Sequence, residues 1–419
     1  MLGYLNKKYT VFSNDNILRL IKKYHSPLWV YDANVILKKI KELHQFDVIR
    51  FAQKSCSNIH ILNLFYKHGV KIDAVSLGEI ERGLISGYDS TDQGMIFTAD
   101  VVDQFTLKKI KEYNIPVNVG SLDMLEQIGA VSPGHCIWLR INPKFGYGHS
   151  KKTNTGGENS KHGIWDISLA IPFIKKYNFK LIGLHIHIGS GVNYEYLERT
   201  CQEMVKQVLR FNHDIKMISA GGGLTVPYKS NESTFNISKY FASWNIARKR
   251  ISNYLNHSIQ LEIEPGRFLV AESGILVAEV RSVKQTSSKL FVLVDAGFND
   301  LIRPAMYGSY HHISVISGDG RLIDENDVQE TTVGGPLCES GDIFTQNEQG
   351  DIETRMLPKV QPGDYLVFHD TGAYGASMSS NYNSRFLIPE ILFEDGNFRM
   401  IRRRQTIKEL LELEINCIS

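Results

Sequence analysis

Five cysteines are few for 419 residues. At positions 56, 136, 201, 338 and 417 they are odd in number, scattered and without a C-x-x-C pair, which argues against a disulfide framework and a cysteine-bound zinc. Long apolar runs are also lacking: none reaches the roughly 18 residues a membrane-spanning helix needs. The opening Met1-Leu2-Gly3-Tyr4-Leu5-Asn6-Lys7-Lys8 has neither an apolar core nor a small-residue cleavage pattern. No secretory signal is therefore expected, and the expected location is the cytoplasm. Net charge is nearly absent, with 47 Lys+Arg against 45 Asp+Glu, so nothing suggests attraction to nucleic acid or to an acidic membrane. The one basic cluster, Arg402-Arg403-Arg404, precedes a short amphipathic segment and reads as a solvated or interface face. No G-x-G-x-x-G follows the first strand, which weakens an open doubly wound sheet.

What the chain does have is a repeating strand-then-helix unit. After a polar start, 27–32 reads as a strand and 33–44 as a helix. Apolar strands are then predicted at 48–52, 71–75, 95–98, 116–119, 136–142, 181–188, 217–220 and 260–264, with helical periodicity at 59–67, 79–84, 104–113, 194–211 and 237–255. Eight such units imply an α/β fold with an all-parallel (β/α)8 barrel. From Gly274 strands follow one another without helices, at 275–283, 290–294, 311–315, 328–333, 365–368 and 390–393, which implies a C-terminal antiparallel β domain. The expected division is a barrel over 33–270 and a β domain from 1–32 with 271–419. The polar stretch 146–163 is expected as a loop at the barrel's active face, a lid or an insertion.

Catalytic groups of such barrels sit beyond the carboxyl ends of the strands. The first strand ends at Lys54, where a desolvated lysine can lose its proton and form a Schiff base with a carbonyl; a lysine packed by its stem is the plainer alternative. The second ends at Asp73. The sixth ends in His185-Ile186-His187-Ile188-Gly189-Ser190-Gly191, the seventh in Gly221-Gly222-Gly223 and the eighth in Glu264-Pro265-Gly266-Arg267. Three glycines make a tight turn, but they also let backbone N–H groups approach a phosphate where such barrels usually hold one, with Ser190 as a further donor. His185 and His187 are core histidines, a metal pair, or an imidazole stacked on a flat ligand. The glycines of the next strand end disfavour metal, and none is expected. Glu264 beside Arg267 is an ion pair or a carboxylate that keeps a pyridine nitrogen protonated. Lysine, anion loop and carboxylate converge on pyridoxal 5'-phosphate.

These segments, with Pro336-Leu337-Cys338-Glu339-Ser340-Gly341-Asp342 and Gly372-Ala373-Tyr374, together resemble the alanine-racemase-fold, pyridoxal-phosphate-dependent decarboxylases, from about Ser26 onward. Within them the likeness is to the enterobacterial type acting on meso-diaminopimelate. It implies release of carbon dioxide to give L-lysine, by homodimers whose β domain lends residues to the partner's barrel. Residue by residue, it implies that Lys54 carries the cofactor, His187 stacks on it and Glu264 faces its ring nitrogen. Ser190, Gly223, Gly266, Arg267 and Tyr374 would hold the phosphate, and Asp73 would lie nearby. Arg267, Arg303 and Tyr307 would clamp the substrate, with Tyr374 and Glu339 at the same pocket, and Cys338 would donate a proton from the other subunit.

A substrate ending in both an amine and a carboxylate needs an anion and a cation, which Glu339 and Arg303 supply. Ornithine would leave the arginine unpaired, at several kcal/mol if buried. A racemase would do better with a cation where Glu264 stands. A metal-dependent hydrolase using His185 and His187, and a catalytically silent regulator, are the remaining rivals.

Overall fold

The structure is a computed structural model that describes residues 10–89, 94–148, 151–415 and 417; residues 1–9 of the expected polar start and positions 149–150 of the expected loop lie outside the described residues. The chain divides into two compact units. One is Lys38–Val226 with Thr234–Leu269; the other comprises the described residues of Met1–Leu37, Pro227–Ser233 and Val270–Ser419.

The first strand, β1 (Leu28–Asp32), belongs to the second unit. The next eight, β2 (Val48–Ala52), β3 (Lys71–Ala74), β4 (Met95–Ala99), β5 (Val117–Val119), β6 (Cys136–Ile141), β7 (Lys180–Ile186), β8 (Met217–Ser219) and β9 (Gln260–Ile263), close into one barrel. All its pairs are parallel, and β2 completes the ring against β9 through Val48↔Glu262 and Ile49↔Ile263. Several of the barrel helices start where a short polar side chain takes over an orphan backbone N–H. Ser76 accepts from Glu79, Asp103 from Phe105 and Thr106, Ser121 from Met124, and Asn193 from Tyr196. Two helices were not expected, Leu122–Val131 and Ile171–Lys176. The first hides its pattern behind Gly129, whose missing Cβ makes room for the Tyr177 ring, which a methyl there would meet at 2.2 Å. The second is six residues long and carries a proline in its first turn.

The barrel interior is polar. Arg50, Asp73, Asn118, Arg140, His185, Ser219 and Glu262 are all buried on its strands. Arg50 donates from Nε to Glu262 Oε1 and from Nη2 to Oε2, both at 2.8 Å, so the pair is bidentate and out of water. Removing one member leaves a buried charge without its partner. Arg50→Met is expected to lower stability by about 3–5 kcal/mol, read as a shift of the urea midpoint; an unchanged midpoint would show that the pair carries no such weight.

In the second unit the remaining strands are β10 (Gly274–Gln285), β11 (Leu290–Val294), β12 (Ile313–Ile316), β13 (Val328–Gly334), β14 (Arg355–Pro358), β15 (Tyr365–Phe368), β16 (Glu390–Glu394) and β17 (Asn397–Arg402). They form with β1 a sheet of order β14-β13-β11-β10-β1-β16-β17, with β15 bridging β10 and β12. Most pairs are antiparallel as expected, but β1 with β16 and β11 with β13 run parallel. β14 and β17, both at the edge of that order, were not expected: one is four residues ending in proline, the other interrupted by arginines, as suits strands without a second neighbour. The chain's start is also more ordered than its composition suggested. Asn14–Tyr24 is a helix capped by Ser13, and its Ile17, Leu20 and Ile21 pack with Leu28, Val30, Ile275 and Val367. Pro227–Ser233 groups with this unit, where Tyr228 meets the His311 ring edge-on and lies under the Arg303 guanidinium.

Candidate active site

Beyond the carboxyl ends of the barrel strands the chain changes character. After β2 a single 3-10 turn, Gln53–Ser55, buries Gln53 and Ser55 and leaves Lys54 exposed. Gly266 lies against the same turn: a Cβ there would come within 3.1 Å of Ser55 Oγ and 3.3 Å of Ala52 Cβ. After β7, Thr155 donates from Oγ1 to the His187 carbonyl at 3.2 Å, and the amides of Tyr147 and Thr155 both donate to the Ile188 carbonyl at 3.1 Å. The described part of the 146–163 stretch is thus tied to that strand end.

After β8 the three glycines do what the residue type allows. A Cβ on Gly222 would meet the Glu264 carbonyl at 2.5 Å, and Gly223, at φ +103°, would meet the Gly189 carbonyl at 2.7 Å. The Gly221 amide donates to Ser219 Oγ at 3.1 Å and that of Gly222 to His187 Nδ1 at 3.3 Å. Among the described residues the Gly223 amide has no such acceptor. Close by in the same unit, Arg267 donates from Nη2 to Ser190 Oγ at 3.2 Å, joining two residues expected at a phosphate.

Glu264 follows β9 and is buried. His185 Nε2 lies 2.6 Å from its Oε2, and Ser219 donates to its Oε1 at 2.9 Å. Burial pushes this carboxyl up, but the His185 imidazole, then Arg50 and Ser219, outweigh burial and bring its pKa down to about 2. Asp73 behaves oppositely: burial, reinforced by the Glu264 charge, raises it well above the usual carboxylate range. Two acids of one barrel are thereby driven to different protonation states, a pattern typical of functional sites. The Lys54 ammonium and the Glu264 carboxylate both act on Asp73 and on His187, which places all four in one electrostatic neighbourhood.

His187 is half-buried, and burial, with Arg140 and Lys54 nearby, holds its pKa well below the ordinary 6.5. Its ring is therefore neutral when folded, and Nδ1 is the acceptor for Gly222. An unfolded chain takes up this proton as pH falls below 6.5, so His187 contributes stability above that pH that is lost on acidification. The urea midpoint is expected to fall between pH 7.5 and 5.5, and less steeply in His187→Gln; parallel slopes would contradict this.

The second unit carries the other expected residues. Arg303 begins the short helix Arg303–Tyr307 and is buried. Its Nη1 lies 2.9 Å from His311 Nε2, while His311 Nδ1 lies 2.9 Å from the His369 carbonyl. The carbonyl can only accept, so Nδ1 carries the proton and Nε2 accepts from the guanidinium. Cys338 and Glu339 are exposed on a loop folded around buried Asp342, whose Oδ1 accepts from the Phe298 amide and Oδ2 from the Leu337 amide. The Cys338 amide donates to Asn383 Oδ1 at 2.8 Å. Tyr374 holds φ +57°, a left-handed conformation that costs a bulky residue about 1–3 kcal/mol and clusters at functional sites.

The barrel-end residues suit pyridoxal phosphate: a cradle that no Cβ could enter, a free glycine amide beside serine and arginine for a phosphate, an anionic carboxylate for a ring nitrogen, and an exposed lysine amine. Arg140 and Ser219 were not singled out from the sequence, and His185 was weighed only as a core histidine, a metal ligand or a stacking ring, not as a partner of Glu264. For Arg140 the available signal was a charge inside the apolar strand Cys136–Ile141, at a position directed into a barrel. Among the described residues no three His, Cys, Asp or Glu side chains converge as metal ligands.

Comparison with known proteins agrees. Residues 33–271 match the family model of the pyridoxal-dependent decarboxylase pyridoxal-binding domain. The chain is 71% identical, over all of both chains, to the diaminopimelate decarboxylase of Buchnera aphidicola subsp. Baizongia pistaciae. A crystal structure of a diaminopimelate decarboxylase superposes with a TM-score of 0.94 at 59% identity, covering 97% of this chain and 98% of that one. The Helicobacter pylori diaminopimelate decarboxylase complexed with L-lysine gives a TM-score of 0.84 at 30% identity, over 96% of this chain and all of that one. With that likeness running from end to end and the barrel's strand ends built as described, the chain belongs to the diaminopimelate decarboxylases, within the pyridoxal-dependent decarboxylase family.

Proposed function

We propose that the barrel-end residues perform the family reaction, the pyridoxal-phosphate-dependent decarboxylation of meso-diaminopimelate to L-lysine and carbon dioxide, with roles that follow from their chemistry. When bound, the cofactor supplies an electron sink for the pair left when the carboxyl group departs. Lys54, the exposed amine that follows the first barrel strand, would be the residue that holds it. His187, kept neutral, offers an uncharged ring face for stacking. The Gly223 amide, Ser190, Gly266, Arg267 and Tyr374 hold the phosphate, while Asp73 lies alongside. Glu264, anionic, keeps a proton on the ring nitrogen, which deepens the sink. That last feature carries the reading: a carboxylate driven down to about 2 shares its surroundings with an exposed lysine, and it distinguishes loss of carbon dioxide from racemisation.

The substrate's far end is a carboxylate and an amine. Arg303, oriented by His311, suits the carboxylate, Glu339 the amine, and Tyr307 and Arg267 the rest of the clamp. The Cys338 thiol delivers the proton to the α-carbon. We further infer a homodimer in which this loop of one protomer completes the barrel site of its partner, working in the cytoplasm, where a free reactive thiol persists. None of the five cysteines is in a disulfide, and among the described residues no helix is long and apolar enough to cross a membrane.

The test is to offer purified protein meso-diaminopimelate, lysine, ornithine and arginine separately and measure carbon dioxide. Release from meso-diaminopimelate alone is expected. Comparable release from ornithine or lysine would overturn the assignment of Arg303 and Glu339.

A further inference from the structure

Inside the barrel three acids lie close together, Asp73 on β3, Glu262 on β9 and Glu264 just beyond it, and only Glu262 has an arginine of its own. We propose that His185 is a positioning residue, which through its hydrogen bond fixes Glu264 in place as the charged acid facing the cofactor's ring nitrogen. This deepens the role given to Glu264 above and rests on it.

The geometry is specific. In the barrel register Arg140 on β6, His185 on β7 and Ser219 on β8 stand side by side, and Ser219 is in turn opposite Glu262. His185 is 2% exposed. It reaches across β8 to Glu264 Oε2 at 2.6 Å, while Ser219 from β8 covers Oε1 at 2.9 Å. Each carboxylate oxygen thus has one donor, and two donors on different oxygens fix the plane of the group as well as its position. Ser219 Oγ also accepts from the Gly221 amide, so the carboxylate is tied to the glycine turn at the phosphate end.

Charge leads to the same residue. The groups acting on this imidazole and carboxylate are Arg140 from β6, Arg50 from β2, Glu262 and Asp73 from β9 and β3, and His187 beyond β7. Arg50 is engaged by both oxygens of Glu262. Burial favours a neutral Glu264, and the His185 imidazole is the first of the influences that reverse this. Without that donor the proton shifts onto Glu264, Asp73 loses the charge that keeps it neutral, and the ring nitrogen faces an acid that can no longer hold its proton.

The test uses the holoenzyme of His185→Leu, His185→Gln and Glu264→Gln beside the parent. Three quantities are read: the pH profile of the bound cofactor's visible absorbance, the dissociation constant for pyridoxal phosphate, and kcat apart from KM. His185→Leu is expected to move the absorbance transition by at least about one pH unit, weaken cofactor binding at least about tenfold, and lower kcat with KM little changed. His185→Gln, which keeps an N–H donor, should recover most of each. A packing role alone would lower thermal stability without moving the absorbance transition, and that result overturns the proposal. If His185→Leu does not fold, His185→Asn, whose side chain is too short to reach, decides by the same criteria. Glu264→Gln separates the two levels. If it moves the transition while His185→Leu does not, the His185 proposal fails alone; if neither moves it, the role of Glu264 fails as well.

Discussion

Lys54→Ala is expected to lower kcat by at least about 10³-fold, because the variant loses the amine proposed to hold the cofactor and position it for the substrate. The effect should be chemical and not structural. Lys54 is exposed on its turn while the neighbouring Gln53 and Ser55 are buried, and the turn is held by backbone and by the Ser55 hydroxyl donating to the Ala52 carbonyl at 2.9 Å. Thermal stability of the cofactor-free protein should therefore stay close to that of the parent. Lys54→Arg should not rescue, since a guanidinium keeps its proton and cannot act as a nucleophilic amine. Turnover within tenfold of the parent in Lys54→Ala would remove this residue from the mechanism.

Cys338→Ala is the second large effect, with kcat expected to fall about 10²- to 10⁴-fold, the range for a missing acid catalyst. Pyridoxal phosphate binding should hardly change. The loop keeps its shape without the thiol: Asp342 takes the Phe298 and Leu337 amides, and Asn383 takes the Cys338 amide through the backbone. Stability should stay within about 0.5 kcal/mol, as for most exposed positions. The proposed α-proton donation has a second signature, slower incorporation of solvent deuterium at the product's α-carbon in the variant. Unchanged turnover and unchanged deuterium incorporation would contradict the role given to Cys338.

Much of the fold was legible because a parallel barrel buries both faces of its strands, so β2, β4 and β6 read as short, mainly apolar runs whatever follows them. Edge strands and interrupted helices were harder. β17 mixes arginines with its apolar residues, and Leu122–Val131 needs Gly129 for the Tyr177 ring, a contact between residues 48 positions apart. At the candidate site, strand ends pointed to candidate residues but not to their alliances. His185 stood two positions before His187, yet its partner Glu264 is 79 residues away, just past the end of the strand beyond the next. The chain from Arg303 through His311 to the His369 carbonyl is likewise assembled by pairing within the sheet unit. Residue type and spacing point to chemistry, while hydrogen-bond partners depend on register, which no local pattern specifies.

The most direct test of the central claim is to load the protein with pyridoxal phosphate, reduce it with borohydride, digest it and locate the adduct by mass spectrometry. A single adduct on the peptide containing Lys54, absent from Lys54→Ala, is the predicted result. An adduct on another lysine, or none on a protein that still releases carbon dioxide from meso-diaminopimelate, would contradict it.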